Sequence, residues 1–459
     1  MNRREWLEEL EDAVRSVGVV DAHHHMISPG QRAARKTGLI DFLSESYLAA
    51  DLKAAGLDWT ALAPLDDASA WEAIRKLLPF VRFTSYFRVV DTCFRDLLGL
   101  RGPLWEVDWR ALDEKLKAGS ADENWTVHIL RSRVGLTHGV LDRQATGTTN
   151  LFLRGGAPDW YDFILRERPR IPDDTVLSSV VRRDSQPPLW TPSVKIDALL
   201  WGYVREARTE LEALYHVPVP DFASLDDYLS YVDRCFEKMK EEGVVALKSA
   251  FAGVRRIDYQ PVDRAAAEAL FPSSLKPQVS SLKPDHARAF EDFMIGHLAE
   301  RSADFALPFQ FHTGTPFSGP VSDSDTRCDH LTGLISRHPR TRFVLMHGGF
   351  PYTRELANLA KRFPNVYVDI SWLPMLSESA SEQAIAELIT LAPCHKLVWG
   401  GDCVFAEETY GAFKIALESL AGALARLIDS DQISRPDALS LAPLIFSSNP
   451  RNLFSLPSP

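Results

Sequence analysis

The segment Val19-Val20-Asp21-Ala22-His23-His24-His25 is a short apolar run that ends in three histidines. Side chains alternate between the two faces of a strand, so this pattern predicts His23 and His25 on one face and His24 on the other. Two imidazoles held side by side form half of a divalent metal site, which a further histidine or a carboxylate must complete. An expression tag would be longer and would not follow a strand directly.

Three later apolar runs also end in a residue that can bind a metal ion. Pro308-Phe-Gln-Phe-His312 and Val344-Leu-Met-His347 each end in a histidine, and Leu397-Val-Trp-Gly-Gly-Asp402 ends in an aspartate. A single histidine after an apolar run is more often a structural hydrogen-bonding residue than a ligand. Four such ends in one chain form a multi-part pattern that chance rarely produces. The sequence therefore predicts a metal site at the carboxyl ends of strands.

Composition excludes several classes of protein. The 459 residues are 45% hydrophobic and 25% charged, and the formal net charge is −11. An acidic surface disfavours nucleic acid and anionic membranes as partners. No apolar run approaches the ~20 residues of a membrane span, and the charged start of the chain does not resemble a signal sequence. The five cysteines contain no C-x-x-C pair, which is typical of reduced thiols in a cytoplasmic protein.

Strand and helix patterns alternate along most of the chain, which indicates a parallel sheet. Residues 38–124 carry mostly helical patterns and are too long for one strand-to-helix connection. Candidate strands elsewhere are residues 19–25, 176–181, 196–201, 244–248, 308–312, 342–347, 365–372 and 396–402. Candidate helices are residues 6–17, 225–242, 287–301, 329–338, 352–363 and 378–391.

Polar residues that recur at strand ends favour an α/β fold of the (β/α)8 TIM-barrel type, in which loops at one face build the site. We predict a single domain over residues 1–459, with 38–124 as a mostly helical insertion after the first strand. An open doubly wound sheet is the alternative, but no G-x-G-x-x-G follows a strand.

The ordered motifs Asp21-x-His23-x-His25, Phe-His312-x-Gly, Met-His347-Gly-Gly and Trp-Gly-Gly-Asp402 resemble the amidohydrolase superfamily. Within it they resemble the amidohydrolase 2 branch of metal-dependent hydrolases and decarboxylases. The resemblance extends from the first strand to the last and leaves out the helical insertion. Residues 246–258 also resemble, more weakly, the amidohydrolase-like domains that precede glutamine-synthetase-like domains in some fused proteins.

The resemblance implies that His23, His25, His312 and Asp402 are metal ligands, with zinc expected and manganese or iron as alternatives. It also implies that Asp402 is catalytic and takes a proton from metal-bound water. His347 would polarise the substrate or move a proton. A structural histidine bonded to the backbone is the alternative for His347.

Three further residues are candidates for substrate binding. Lys248 ends a short apolar strand, where it would bind a substrate carboxylate as a point charge. In some superfamily members a carboxylated lysine bridges two metals, so one ion is expected if Lys248 is unmodified and two if it is carboxylated. Arg255 is expected to form a bidentate contact with the same carboxylate, although an exposed arginine with no contact to substrate is the commoner interpretation. Trp372 would either form a wall of the pocket or pack in the barrel.

The leading hypothesis is an enzyme that hydrolyses an amide or ester bond in a small, carboxylated molecule. Non-oxidative decarboxylation, isomerisation of a sugar acid and a non-catalytic metal-binding module are the alternatives, in that order. The expected partner is a small anionic molecule, and homo-oligomerisation stays open. A Gly-x-Ser-x-Gly elbow and a P-loop are both absent from the sequence, so serine hydrolases and P-loop nucleotide hydrolases are unsupported.

Overall fold

The computed structural model describes residues 3–26, 29–62, 64–143, 189–200, 208–274, 284–316 and 321–457. Within these ranges lie eight strands: β1 (Val19–His24), β2 (Leu136–Arg143), β3 (Trp190–Lys195), β4 (Ala246–Ser249), β5 (Phe309–Phe311), β6 (Phe343–Leu345), β7 (Val366–Asp369) and β8 (Leu397–Val398). The candidate strand at residues 176–181 lies outside the described residues.

The strands form one parallel sheet in which each strand pairs with the next along the chain. The residues after β8 return to β1: Ala22 N donates to Trp399 O at 3.0 Å, and Asp402 N donates to His23 O at 2.9 Å. The sheet therefore curls into a barrel, and the predicted (β/α)8 fold is confirmed.

Small and branched side chains fill the barrel interior, as this fold requires. Five strands contribute one or two residues each to one buried cluster. These residues are Val20, Ala22, Val140, Ala246, Val344 and Val398. Along β2 and β4, the residues two positions later are Asp142 and Lys248, which share the inward face. The strands thus carry apolar residues in the middle and polar residues at their carboxyl ends.

Helices occupy the chain around β1 and between β1 and β2. They are α1 (Arg3–Val17), α2 (Pro29–Arg35), α3 (Leu39–Glu45), α4 (Leu48–Ala54), α5 (Trp59–Leu62), α6 (Asp67–Ile74), α7 (Leu78–Val81), α8 (Ser85–Leu98), α9 (Trp109–Ala121) and α10 (Glu123–Val127), followed by a π-helix at His128–Val134. Gly18 ends α1 with φ +75°, a conformation that glycine adopts without strain.

The second half of the chain follows the predicted alternation closely. Its helices are α11 (Arg208–Tyr215), α12 (Leu225–Glu241), α13 (Arg264–Ser274), α14 (Pro284–Asp304), α15 (Thr332–Arg337), α16 (Thr353–Arg362), α17 (Leu373–Leu376), α18 (Glu378–Leu391), α19 (Ala406–Asp429), α20 (Arg435–Pro443) and α21 (Asn449–Leu453). Among the described residues, none of the helices is long and apolar enough to cross a membrane.

The sequence prediction was wrong at the second and third strands. It missed β2, and it placed a strand at residues 196–201, where Asp197–Leu200 forms a 3-10 helix instead. The cause is Asp197, whose buried carboxylate accepts hydrogen bonds from Ser249 Oγ at 2.7 Å and Ala250 N at 2.8 Å. These bonds turn the chain immediately after β3 (Trp190–Lys195).

Candidate active site

The two alternate histidines of β1 meet at the carboxyl end of the barrel. His23 Nε2 and His25 Nε2 lie 2.9 Å apart. His24 points away from them, with its Nε2 2.8 Å from Thr409 Oγ1 of α19. The arrangement of these three side chains is the one that strand alternation predicts.

Asp402 completes a triangle with this pair. Its Oδ1 lies 3.2 Å from His23 Nε2 and 3.3 Å from His25 Nε2. Ligands bound tetrahedrally to zinc at about 2.0–2.1 Å lie about 3.3 Å from one another. The three atoms are therefore spaced as three ligands of a single divalent ion.

The protonation states of His23 and Asp402 suit a metal ion. Burial, together with the neighbouring Lys248 and His25, lowers the pKa of His23 to about 3. Burial alone would raise the pKa of Asp402, but its contacts with His23, His25 and His347 hold that pKa well below its usual value. Neutral imidazoles and an ionised carboxylate are the forms that bind metal, so the residues present fit such an ion.

Close contact between β1 and the chain after β8 builds this geometry. Asp21 Oδ1 accepts hydrogen bonds from His23 N at 3.1 Å and from Gly401 N at 2.9 Å. A side chain at position 400 would place its Cβ only 2.7 Å from His23 N, so Gly400 is required for the approach. The Gly-Gly pair before Asp402 therefore lets that carboxylate reach the histidines.

A row of polar groups leads from Asp402 to the two later histidines. Asp402 Oδ2 lies 3.6 Å from His347 Nδ1, and His347 Nε2 lies 3.0 Å from His312 Nδ1. His312 Nε2 lies 3.0 Å from the carbonyl oxygen of Thr315. The structure thus brings His312 beside His347, and its predicted role as a fourth ligand stays a prediction.

Three residues that follow strands have a left-handed backbone. His347, Trp372 and Asp402 have φ values of 62°, 64° and 53°. This conformation is strained for residues other than glycine, and strain of this kind concentrates at functional sites. The three side chains contact one another in series, since His347 lies 3.6 Å from Asp402 and its ring meets that of Trp372 at 5.2 Å.

Lys248 lies against the triangle formed by His23, His25 and Asp402. Its Nζ is 3.2 Å from His23 Nε2 and 2.8 Å from Met346 Sδ. Burial lowers the pKa of Lys248, while the carboxylates of Asp142 and Asp402 oppose that shift. The lysine is therefore close enough to contact either His23 or a molecule bound beside it.

Trp372 borders the same space. Its ring meets that of His347 edge to face at 5.2 Å and stacks on the ring of Tyr47 at 5.2 Å. Tyr47 immediately precedes α4 (Leu48–Ala54), and its hydroxyl donates to Asp402 O at 2.8 Å. The helical segment after β1 therefore contributes to the site.

Arg255 is not brought to the histidines. Its guanidinium pairs with Glu291 at 3.0 Å and Asp292 at 2.7 Å, both on α14 (Pro284–Asp304). These two carboxylates occupy the guanidinium nitrogens that would bind a substrate carboxylate. The geometry therefore does not support the predicted contact between Arg255 and a substrate.

Two residues near the site, Asp142 and Tyr47, were not predicted from the sequence. Asp142 at the end of β2 forms a possible metal-binding group with His23 and His25, in which one ligand atom from each lies within 4.8 Å of the others. The alternation Leu136, His138, Val140, Asp142 was the available signal, because it places a carboxylate at a strand end. Tyr47 left no local signal, since it reaches the site only through tertiary packing.

The amidohydrolase family model matches residues 262–456. The resemblance to this family is confirmed over that part of the chain. Protein fluG of Emericella nidulans is 29% identical over 202 residues, which are 40% of this chain and 23% of that protein. The chain thus spans under a quarter of the length of this relative, which agrees with the weaker resemblance to domains of larger fused proteins.

Two solved structures share the fold along nearly the whole chain. The uronate isomerase of Thermotoga maritima has a TM-score of 0.73 at 15% identity, with 98% of this chain and 97% of that chain covered. The glucuronate isomerase of Caulobacter crescentus has a TM-score of 0.73 at 16% identity, with 99% and 94% covered. At such low identity these similarities establish the fold.

Proposed function

We propose that this amidohydrolase-type barrel is a metal-dependent hydrolase that cleaves an amide or ester bond of a small carboxylated molecule. The observation that carries the proposal is the triangle of His23 Nε2, His25 Nε2 and Asp402 Oδ1, with sides of 2.9, 3.2 and 3.3 Å. The second oxygen of Asp402 is directed at His347, so the carboxylate adjoins both the triangle and a further proton-carrying group.

His23, His25 and Asp402 would hold the ion, with His312 as the fourth ligand expected from the family resemblance. Nitrogen and carboxylate donors suit zinc best, and manganese or iron less well. When bound, a divalent ion supplies Lewis acidity, which polarises a carbonyl group and makes water a better nucleophile at neutral pH.

The residues of the chain provide the proton transfers. Asp402 Oδ2 accepts the proton of the attacking water, because its low pKa leaves the carboxylate ionised. His347, whose Nδ1 lies 3.6 Å from Asp402 Oδ2 and 3.3 Å from the carbonyl oxygen of Ser371, would polarise the substrate or move a proton. The proton then reaches the leaving amine or alcohol.

Lys248 and Trp372 would bind the substrate. The Lys248 ammonium group would bind the substrate carboxylate, and the indole of Trp372, stacked on Tyr47, would form the opposite wall. Carboxylation of Lys248 is the alternative, and its Nζ lies 3.2 Å from His23 Nε2, close enough for a bridging group. One metal ion is expected in the first case and two in the second.

Isomerisation of a sugar acid is the second candidate function. It is favoured by the similarity to uronate and glucuronate isomerases, which covers 98% and 99% of this chain and so includes the helical segment that supplies Tyr47. Decarboxylation and a non-catalytic metal-binding module stay as the remaining alternatives from the sequence analysis.

A substrate screen separates these functions. The zinc-loaded protein is incubated with panels of carboxylated amides, esters and lactones, with aromatic acids, and with uronates. Release of an amine or alcohol supports hydrolysis, and formation of a keto sugar from a uronate supports isomerisation instead. Carbon dioxide without amine or alcohol favours decarboxylation. An absence of turnover in every panel with fully loaded protein contradicts the enzymatic proposal.

A further inference from the structure

Asp142 is a buried carboxylate that the proposed reaction does not use. It lies near the end of β2 (Leu136–Arg143), and its Oδ1 accepts a hydrogen bond from Ser193 Oγ at 3.4 Å. Its Oδ2 is buried and has no hydrogen-bond partner among the described residues. That oxygen lies 3.5 Å from Lys195 Nζ and 3.7 Å from His25 Nδ1.

The two ring nitrogens of His25 face different partners. His25 Nε2 faces His23 Nε2 and Asp402 Oδ1, whereas His25 Nδ1 faces Asp142 Oδ2. An imidazole that binds a metal through one nitrogen commonly donates its other N–H to a carboxylate, which fixes its tautomer and orientation. The separation of 3.7 Å exceeds a hydrogen bond, and a shift of about 1 Å would close it.

We propose that Asp142 is the positioning residue for His25: it accepts the Nδ1 proton and presents Nε2 to the metal. Asp142 is thus a partner of a ligand rather than a ligand itself. The inference rests on the proposed function, because it takes His25 as a metal ligand.

Lys195, at the end of β3 (Trp190–Lys195), keeps Asp142 in place for this role. Asp142 pairs in register with Ser193, so the next inward position along β3 is that of Lys195. The Lys195 ammonium group lies 3.5 Å from Asp142 Oδ2, the oxygen that also faces His25. It balances the charge of this fully buried carboxylate. Asp142 is therefore held between a fixed cation and the histidine that it orients.

The test measures zinc affinity by competition with a chelator in the full chain, without a substrate. Asp142→Ala should weaken zinc binding about 10- to 100-fold, the usual effect of losing a partner of a ligand. Asp142→Asn should weaken it less, because its amide oxygen still accepts the proton. Zinc content at saturation and the visible spectrum of the cobalt-substituted protein should match the wild type, since the ligand set is intact.

Asp197→Asn is the matched control. Asp197 is a buried carboxylate at the neighbouring strand end, but it bonds to Ser249 and Ala250 instead of a histidine. This variant should bind zinc as the wild type does. If Asp142→Ala does not fold, as judged by circular dichroism, the isosteric Asp142→Asn carries the test.

Two results would overturn the inference. Wild-type zinc affinity in both Asp142 variants would mean that the carboxylate does not position His25. Loss of the site at saturating zinc, or an altered cobalt spectrum, would mean that Asp142 is a ligand. Failure of the wild type itself to bind zinc would instead contradict the proposed function, so the two failures are distinguishable.

Discussion

His347 and Asp402 each combine a strained backbone conformation with a buried, polar side chain. Both have a left-handed backbone, and both side chains are buried where a carboxylate oxygen and an imidazole nitrogen lie 3.6 Å apart. The sequence predicted that both residues belong to the site, because each ends an apolar run. It could not predict the backbone strain, which depends on how the loops pack against the neighbouring strands.

Asn in place of His347 tests its role in proton transfer. Asn tolerates a left-handed backbone, so His347→Asn should preserve the loop while removing the imidazole. We expect kcat to fall about 10²- to 10⁴-fold, the usual contribution of a general acid or base, with zinc content unchanged. Steady-state kinetics together with metal analysis measure both. A kcat close to the wild-type value would assign His347 the structural role.

Methionine in place of Lys248 tests its contact with the substrate. The side chain already lies against Met346, so Lys248→Met should be accommodated. Loss of a charge-assisted hydrogen bond should raise KM for the carboxylated substrate about 10- to 100-fold. Lys396→Met is the control, because that buried lysine bonds to the carbonyl oxygens of Ala360 and Phe363. If Lys248→Met loses zinc, Lys248 is a metal ligand and the substrate contact is wrong.

Individual elements show where sequence reasoning succeeded. The later strands and helices could be predicted because apolar runs, each closed by a polar residue, alternate with helices, of which Thr353–Arg362 is clearly amphipathic. At β2 the polar residues Thr137 and His138 interrupt the apolar pattern, and at β3 the proline at position 192 does so. Asp142 was missed with β2, and Tyr47 was missed because a distant contact brings it to the site.

One contact between elements predicts a pH dependence. Glu408, in the first turn of α19 (Ala406–Asp429), accepts a hydrogen bond from Tyr47 N at 2.9 Å and so joins the helical segment to the barrel. Burial raises the pKa of Glu408 from 4.5 to about 7. A carboxyl group whose pKa is higher in the folded than in the unfolded state stabilises the folded state at pH values below its unfolded pKa. This stabilisation is lost as the pH rises through about 7.

Glu408→Gln should remove this loss of folding stability at higher pH. The neutral amide keeps the acceptor for Tyr47 N, so the variant should resemble the wild type near pH 4.5. It should exceed the wild type by up to about 3 kcal/mol in free energy of unfolding above pH 7. Urea unfolding at the two pH values gives the difference, and Glu418→Gln, on the same helix and partly exposed, is the control. Parallel pH profiles for Glu408→Gln and the wild type would contradict the argument.

At the scale of the whole molecule, the eight strands bring together residues that are hundreds of positions apart in the chain. His23 and Asp402 could be grouped from the sequence only because strand ends of a parallel barrel share one face. The distances among their side chains required the structure, which adds Asp142 and Tyr47 to the site and leaves Arg255 outside it. The barrel thus sets which residues meet, and local hydrogen bonds set the distances between them.

The metal content of the purified protein tests the central claim most directly. Elemental analysis of the wild type should show at least one equivalent of a transition metal, with zinc expected. The double variant His23→Ala, His25→Ala should contain none, because two of the three atoms in the triangle are gone. The His24→Ala variant should keep its metal, since that ring faces Thr409. Metal retained at the wild-type level in the double variant would contradict the account.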